Sequence, residues 1–306
     1  LAYRGPDDQG HYINSNENVA LAHRRLSILD ISSAGHQPME YRDGRLIGVY
    51  NGEVYNYLEL RKELSQAGYT FESNTDTEVI LAGYHYWGVD CVQRFNGMFA
   101  FAIWDEQEES LFLARDRLGI KPLYYYQGEK GFWFASEIKA ILAGASNGFS
   151  KNESLIDLYM SLGYIPGEDT LFQGIKRLLP GHYLLVSNNG ERKYKYWEVD
   201  YTETNDLGEA YYQQKCKHLL NDSIDLRLRS DVPLGIFLSG GLDSAAVVGL
   251  LAERVPERLK TFSVAYDFGP EYDETKYARM VAERFNTEHH EIYVTPDDFL
   301  KLIPSY

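Results

Sequence analysis

The sequence predicts two domains of different class, an α+β domain followed by an α/β domain with a doubly wound parallel sheet. Up to about residue 186, short apolar and aromatic runs follow one another with turn residues between them, which is typical of neighbouring strands. From about residue 207, helical and strand patterns alternate, which is typical of a parallel sheet covered by helices. The length of 306 residues is sufficient for two ordinary domains.

The first domain, residues 1–186, is predicted to consist mainly of strands with helices to one side. Leu60 and Leu64, four residues apart, show the helical spacing of apolar side chains. Strands are expected at Leu46–Tyr50, Met98–Trp104, Leu111–Ala114, Leu123–Tyr126, Phe132–Ala135 and His182–Val186, and helices at Tyr57–Ala67, Asp76–Trp87 and Lys151–Leu162. Because the predicted strands neighbour other strands and the helices lie to one side, the pattern indicates an α+β layered domain.

The segment 187–206 is polar and lacks apolar periodicity, so it is predicted to be an interdomain linker. The second domain then occupies residues 207–306. Its predicted helices are Gly208–Leu228, Asp243–Arg254 and Asp273–Phe285, and its predicted strands are Gly235–Leu238, Thr261–Tyr266 and His289–Val294. Because a sheet of three strands leaves apolar edges open, we expect the chain to end inside this domain.

A glycine-rich loop, Ser-Gly-Gly-Leu-Asp-Ser at Ser239–Ser244, separates the first strand of the second domain from the following helix. The glycines allow a tight turn and close approach of a ligand, while the helix N-terminus and the two serine hydroxyls attract an anion. The loop lacks the Gly-Lys-Ser/Thr ending of a Walker A motif and does not match Gly-x-Gly-x-x-Gly. It predicts a phosphate-binding loop, and a glycine-rich turn without a ligand is the alternative.

The composition narrows the classes of partner. The net charge is −15, from 45 acidic and 30 basic residues, which argues against nucleic acid or an anionic membrane as the main partner. The two cysteines, Cys91 and Cys216, form neither a Cys-x-x-Cys pair nor a zinc-ligand spacing. No signal peptide or bilayer-spanning apolar run is present, so a reducing, cytoplasmic setting is expected. Nothing in the sequence signals the oligomeric state, and a homodimer stays open.

Several motifs follow one another along the first domain. They are RGPDDQG at Arg4–Gly10, HRRLSI at His23–Ile28, NGEVYN at Asn51–Asn56, TDTEV at Thr75–Val79, GMFAFA at Gly97–Ala102, RDRLGIKPLYY at Arg115–Tyr125 and SEIKA at Ser136–Ala140. With the later loop, which is similar to the pyrophosphate loop of ATP pyrophosphatases, this series resembles the glutamine-hydrolysing asparagine synthetases over essentially the whole chain. The resemblance implies a four-layer αββα glutaminase domain of the N-terminal-nucleophile (Ntn) hydrolase type, followed by the start of an ATP-pyrophosphatase-type synthetase domain.

The resemblance also implies a set of glutamine-binding residues. Arg25 would pair with the α-carboxylate, and Glu53 and Asp76 would hold the α-ammonium group and neighbouring polar atoms. Asn51 and the N–H of Gly52 would form the oxyanion hole. Without the family pattern, the residues taken singly favour other interpretations: a surface charge at Arg25, a hairpin turn at Asn51-Gly52 and a helix start at Asp76.

The nucleophile of this family is a cysteine at the mature N-terminus, activated by the α-amino group of the chain. The sequence starts at Leu1, close to the first motif, so the segment with the nucleophile is expected to be absent and glutamine hydrolysis is not expected from this polypeptide. Cys91 has no free α-amino group and follows an apolar helix. It is therefore predicted to be a buried structural thiol.

In the second domain, the resemblance implies ATP binding by Leu238, Ser239, Gly240, Gly241, Asp243, Ser244 and Val264. Asp243 is a candidate Mg²⁺ ligand, with a helix-start role as the alternative. In the implied reaction, aspartate and ATP give β-aspartyl-AMP at the second site. Ammonia released from glutamine at the first site crosses an internal tunnel and displaces AMP from this intermediate. Three alternatives stay open: amidation of another carboxylate, ring closure by a β-lactam synthetase-like ligase, and a non-catalytic nucleotide-binding relative.

Overall fold

The computed structural model of the protein describes residues 1–16, 18–145, 148–202, 205–255, 257–266 and 273–303. The chain divides into two compact units, Leu1–Thr204 and Asn205–Tyr306. In the described residues no helix is long and apolar enough to cross a membrane.

The first unit is built around a six-stranded antiparallel sheet with the strand order β11-β10-β6-β5-β4-β3. Two smaller antiparallel sheets, β1-β2 and β8-β7-β9, complete its strands. The strands are β1 Asp8–Ile13, β2 Ala20–Arg25, β3 Met39–Tyr41, β4 Leu46–Val54, β5 Gly97–Asp105, β6 Ser110–Arg115, β7 Tyr124–Gly128, β8 Gly131–Ala135, β9 Lys176–Arg177, β10 His182–Ser187 and β11 Gly190–Lys195. The helices are α1 Tyr57–Gln66, α2 Asp76–Trp87, α3 Cys91–Arg94, α4 Ile138–Gly144 and α5 Ile156–Leu162.

Alternation of side chains along the central strands gives the six-stranded sheet two buried faces. On β5, Phe99, Phe101 and Ile103 pack against helices α1 and α2, while Ala100 and Ala102 face the opposite way. The opposite face meets Leu21 of β2 and Tyr125 of β7, and α4 covers the outer side of β7 and β8. The layer order is therefore helix, sheet, sheet, helix, which confirms the α+β class and the four-layer expectation.

The second unit contains a parallel sheet with the order β12-β13-β14. Apolar residues of α7 and α8, among them Val248 and Ala278, pack with Leu238 at the end of β12. The α/β alternation of this unit is confirmed. Its elements are α6 Glu209–Arg227, β12 Gly235–Phe237, α7 Leu242–Ala252, β13 Lys260–Tyr266, α8 Thr275–Arg284, β14 Glu288–Val294 and α9 Pro296–Leu302.

Two boundaries differ from the sequence prediction. The proposed linker 187–206 contains β11, which forms a hairpin with β10 and extends the first unit beyond residue 186. All side chains of β11 are exposed, so the strand carries no apolar pattern. The helix expected at Lys151–Leu162 begins later, at Ile156. Lys151 forms an isolated bridge with Phe172, and Glu153–Leu155 form a 3₁₀ turn before the α-helix begins. Strands β1, β2, β3 and β9 were not predicted.

Candidate functional site

The first unit contains a charged cavity of about 280 Å³. It is lined by residues of β2, β4 and the start of α2, among others. All five residues expected to bind glutamine line it: Arg25, Asn51, Gly52, Glu53 and Asp76. Residues that are 51 positions apart in sequence therefore meet at one place, and the cavity is the candidate site of this unit.

One edge of β4 presents backbone donors to this cavity. Tyr50 donates its N–H to Oε1 of Gln37 at 2.7 Å, and Val54 donates its N–H to Oδ2 of Asp76 at 2.8 Å. Because N–H groups two residues apart on a strand point to the same edge, the N–H of Gly52 lies on this edge between them. The Asn51-Gly52 pair is thus inside a strand, which rules out the hairpin-turn alternative.

Asp76 is buried and is the first residue of α2. The same side chain therefore starts the helix and lines the cavity. Its Oδ2 accepts hydrogen bonds from the Tyr50 hydroxyl at 2.7 Å and from the Val54 N–H at 2.8 Å. These bonds favour the carboxylate, but burial dominates and raises the pKa of Asp76 to about 6. A cationic group of a ligand would therefore stabilise the ionised form.

Arg25 is a buried cation at the end of β2, and the alternative of a surface charge is wrong. Its guanidinium donates to the backbone carbonyl oxygens of Leu29, Asp30 and Ser32 at 3.0, 2.6 and 3.1 Å. A Cβ atom on Gly35 would lie 1.9 Å from its Nη2 atom, so the side chain fits only because residue 35 is glycine. The guanidinium is held in one orientation before any ligand arrives.

Asn51 and His23 complete the polar wall of the cavity. Nδ2 of Asn51 is 3.4 Å from Oγ of Ser136, which is a long and weak contact. The His23 ring contacts the carbonyl oxygen of Tyr50 through Nε2 at 2.9 Å, and burial lowers the pKa of His23 to about 4. The ring is neutral at pH 7, so Nε2 carries the proton and donates. The sequence interpretation assigned no role to His23.

Glu53 and Lys121 place opposite charges in the same cavity. Burial lowers the pKa of the Lys121 ammonium, and the negative charge of Glu53 partly offsets that effect. Lys121 belongs to a motif recognised in the sequence, yet no function was assigned to it. The available signal was a lysine in the short turn that follows a buried strand, five residues after Asp116.

Cys91 lies outside this cavity, at the start of α3 in the core beneath the six-stranded sheet. It is fully buried, and burial raises the pKa of its thiol far above the usual range. A thiol of this kind is unreactive. The predicted structural role of Cys91 is confirmed.

In the second unit, the glycine-rich loop connects β12 to α7 as expected. The hydroxyls of Ser239 and Ser244 are 2.8 Å apart, and Oγ of Ser239 accepts the N–H of Gly241 at 3.2 Å. Gly241 is the N-cap of α7 and has no side chain, so no side-chain cap covers the first N–H groups of the helix. Such uncapped N–H groups suit a phosphate.

The remaining residues expected to bind ATP lie on or beside this loop. The hydroxyl of Ser263 donates to the carbonyl oxygen of Leu238, which places the next residue, Val264, beside the end of β12. Val264 is partly exposed, at 44%. Asp243 is exposed in the first turn of α7, and within the described ranges no group of three or more His, Cys, Asp or Glu residues could hold a metal ion.

Comparisons with known proteins match both units. A family model for the glutamine amidotransferase domain matches residues 1–197, and one for asparagine synthase matches residues 215–306. A putative glutamine-hydrolysing asparagine synthetase 2 of Methanocaldococcus jannaschii is 42% identical over all of this chain and 62% of that protein. Glutamine-hydrolysing asparagine synthetase 1 of Bacillus subtilis is 35% identical over 99% of this chain and 47% of the relative.

A relative with a different name is also similar. An amidase of Gibberella zeae is 33% identical over 95% of this chain and 45% of that protein. The chain thus spans about half the length of the curated relatives that it matches, from 45% to 62% in these three.

Proposed function

The chain belongs to the glutamine amidotransferase domain family, and from that premise we propose that it carries the glutamine site and part of the ATP site of a glutamine-hydrolysing asparagine synthetase. The observation that supports this most is the cavity that collects Arg25, Asn51, Gly52, Glu53 and Asp76. The cavity combines a fixed guanidinium, two carboxylates and neutral hydrogen-bond donors. These match the α-carboxylate, the α-ammonium group and the carboxamide of glutamine.

In the proposed complex, Asp76 and Glu53 hold the α-ammonium group and Arg25 holds the α-carboxylate. Nδ2 of Asn51 and the N–H of Gly52 donate to the carboxamide oxygen and stabilise the charge that develops on it during attack. The fixed guanidinium of Arg25 costs little ordering when the ligand binds. Glutamine hydrolysis would use the N-terminal cysteine typical of the family, because the buried thiol of Cys91 is unsuited to attack.

In the second unit, the loop Leu238–Ser244 would bind the phosphates of ATP, with Val264 beside the adenine. Mg²⁺ would neutralise phosphate charge, and Asp243 is the proposed protein ligand. The side-chain carboxylate of aspartate would then attack the α-phosphate of ATP, which would give β-aspartyl-AMP and release pyrophosphate. Ammonia would displace AMP from this intermediate to give asparagine. Amidation or cyclisation of another acceptor is the second candidate, since a relative of this chain is named an amidase.

We place this chemistry in the cytoplasm, where both cysteines stay reduced. In the structure Cys91 and Cys216 are free thiols, one buried and one exposed.

The same proposal assigns a different reaction to each domain. Glutamine chemistry belongs to the region up to the end of β11, and nucleotide chemistry belongs to the region from α6 onward.

Calorimetric titration with L-glutamine tests the first site without requiring turnover. We expect saturable binding of L-glutamine and none of D-glutamine, because the cavity fixes three polar groups around one centre. Arg25→Lys is expected to weaken binding about 10- to 100-fold, since lysine cannot form the same fork of donors. Arg94→Lys, at an exposed ion pair with Glu63, is the matched control.

A folded chain that binds neither enantiomer would overturn the glutamine site. Equal loss of affinity in the Arg25 and Arg94 variants would mean that the cavity is not where glutamine binds.

A parallel titration with ATP and Mg²⁺ tests the second unit. ATP binding that persists after substitutions in the loop Leu238–Ser244 would contradict the assignment of this loop.

A further inference from the structure

Lys121 is one of the charged residues of the cavity that the proposed glutamine complex leaves unused. Its side chain is half-buried and lines the cavity together with Glu53 and Asn51. Within the ranges that the structure describes, its ammonium forms no hydrogen bond and no ion pair. Burying a charge without a partner is unfavourable, which agrees with the lowered pKa of this group.

The position of Lys121 is fixed by the two residues that end β6 and begin the following turn. The buried Asp116 carboxylate accepts the N–H groups of Leu118, Ile120 and Lys121 at 3.1, 2.9 and 3.0 Å. Arg115 donates from Nε to the carbonyl oxygen of Lys121 at 2.7 Å. The backbone of Lys121 is thus held from both its N–H and its C=O, and the ammonium is presented by a rigid turn.

The arginines around the cavity, in contrast, already donate to protein acceptors. Arg25 donates to three backbone carbonyls of its loop. Arg24 donates to the carbonyl oxygen of Gly5 at 2.9 Å, and Arg4 forms an ion pair with Glu137 at 3.0 Å. Lys121 therefore differs from these arginines, because its three N–H donors still lack protein acceptors among the described residues.

We propose that Lys121 is a specificity-determining residue of this site, whose ammonium binds a carboxylate of the amino-acid ligand. The proposal rests on the glutamine site proposed above. Two carboxylates have this chemistry: the α-carboxylate shared by glutamine and glutamate, and the γ-carboxylate that only glutamate, the product of hydrolysis, carries. In the first case Lys121 supports substrate binding next to Arg25, and in the second it holds the product.

The test compares Lys121→Met with wild type in titrations with L-glutamine and L-glutamate. Methionine keeps the unbranched stem of lysine to within one atom and removes the charge. Lys130→Met, in the exposed β7–β8 turn, is the matched control. If the α-carboxylate is the partner, both ligands lose about 10- to 100-fold in affinity. If the γ-carboxylate is the partner, only glutamate loses affinity. Lys121→Arg should retain most of the affinity in either case.

Unchanged affinity of Lys121→Met for both ligands would overturn the proposal while leaving the glutamine site intact. Absence of glutamine binding by the wild-type chain would instead overturn the glutamine site itself. A second readout is the reactivity of Lys121 towards an acylating reagent. Ligand binding should protect Lys121 and raise its pKa, and Lys130 should react equally with and without ligand. Lack of protection at a saturating ligand concentration would count against direct contact.

Discussion

The two candidate sites of this chain are built on opposite principles. The cavity of the first unit is lined by side chains whose charges are buried and held by hydrogen bonds, such as Arg25 and Asp76. The loop of the second unit offers mainly backbone N–H groups and two serine hydroxyls, and most of its residues are exposed. One site is shaped by the packed layers around it, and the other by a local turn.

This difference agrees with what each proposed ligand would require. A phosphate is bound by nearly any set of N–H groups at a helix N-terminus, so a short contiguous motif is sufficient. An amino acid with three polar ends requires several charges of both signs in fixed places, and only a packed core can hold buried charges there. Substitutions in the first unit should therefore couple binding to stability more strongly than substitutions in the second.

The largest effect is expected from Asp116→Asn. The buried carboxylate accepts four backbone N–H groups, including those of Phe99 and Lys121, and an amide would turn its own N–H₂ group towards some of them. We expect the first unit to lose about 3–5 kcal/mol of unfolding free energy. All four tryptophans lie in this unit, so urea unfolding followed by tryptophan fluorescence reports on it alone.

Asp43→Asn, in the exposed turn between β3 and β4, is the control for Asp116→Asn and should stay within about 0.5 kcal/mol of wild type. A loss at Asp116 no larger than that at Asp43 would show that the turn after β6 is not a rigid support for the cavity. It would also remove the structural basis given above for the position of Lys121.

Asp76→Asn should separate stability from binding in the first unit. The pKa of Asp76 is about 6 in the folded chain and 3.8 when unperturbed, so the folded state binds this proton more tightly. Stability from this group is therefore highest below pH 4 and is lost as pH rises through about 6. At pH 7 to 8, Asp76→Asn should raise the unfolding free energy by about 1–3 kcal/mol.

The same substitution should weaken glutamine binding about 10- to 100-fold, because the α-ammonium group loses an ionised partner. In the wild-type chain, glutamine affinity should fall as pH is lowered through about 6, and the variant should lack this dependence. Calorimetry at several pH values, with denaturation curves in parallel, measures both effects. A variant that is less stable and binds normally at pH 7.5 would contradict the assigned role of Asp76.

The sequence motifs identified residues that line the cavity, but not the neighbours that surround them there. Arg25, Asn51 and Asp76 lie in motifs that can be recognised in the chain, and the structure brings them to one cavity. The positions of His23 and Lys121 in the cavity depend on where β2 and the turn after β6 meet the edge of β4. That meeting is decided by packing between layers, which no local pattern of residues encodes.

For the fold, strands were predicted where burial on both faces produces a continuous apolar run, as in β5 and β6. Strands β1 and β11 were missed because many of their side chains are exposed and polar, and neither contains such a run. The linker prediction failed for the same reason, since an exposed edge strand and a polar linker have similar composition. The sequence therefore predicted the buried strands of the first unit and missed strands whose side chains are largely exposed.

The smallest effect is expected at Gly241, and its comparison with the adjacent Gly240 is the sharpest test of the second unit. A Cβ atom at Gly240 would lie 2.9 Å from the carbonyl oxygen of Glu274 and from Cβ of Tyr277, whereas at Gly241 its nearest contact would be the Ser239 hydroxyl at 3.2 Å. Gly240→Ala should therefore destabilise the second unit by about 1–3 kcal/mol, and Gly241→Ala by less than about 1 kcal/mol. Amide hydrogen exchange in α7 and α8 measures this, and tryptophan fluorescence should not change. Equal losses at both positions would mean that Gly240 is required by the loop itself, as at Gly241, and not by its packing against α8.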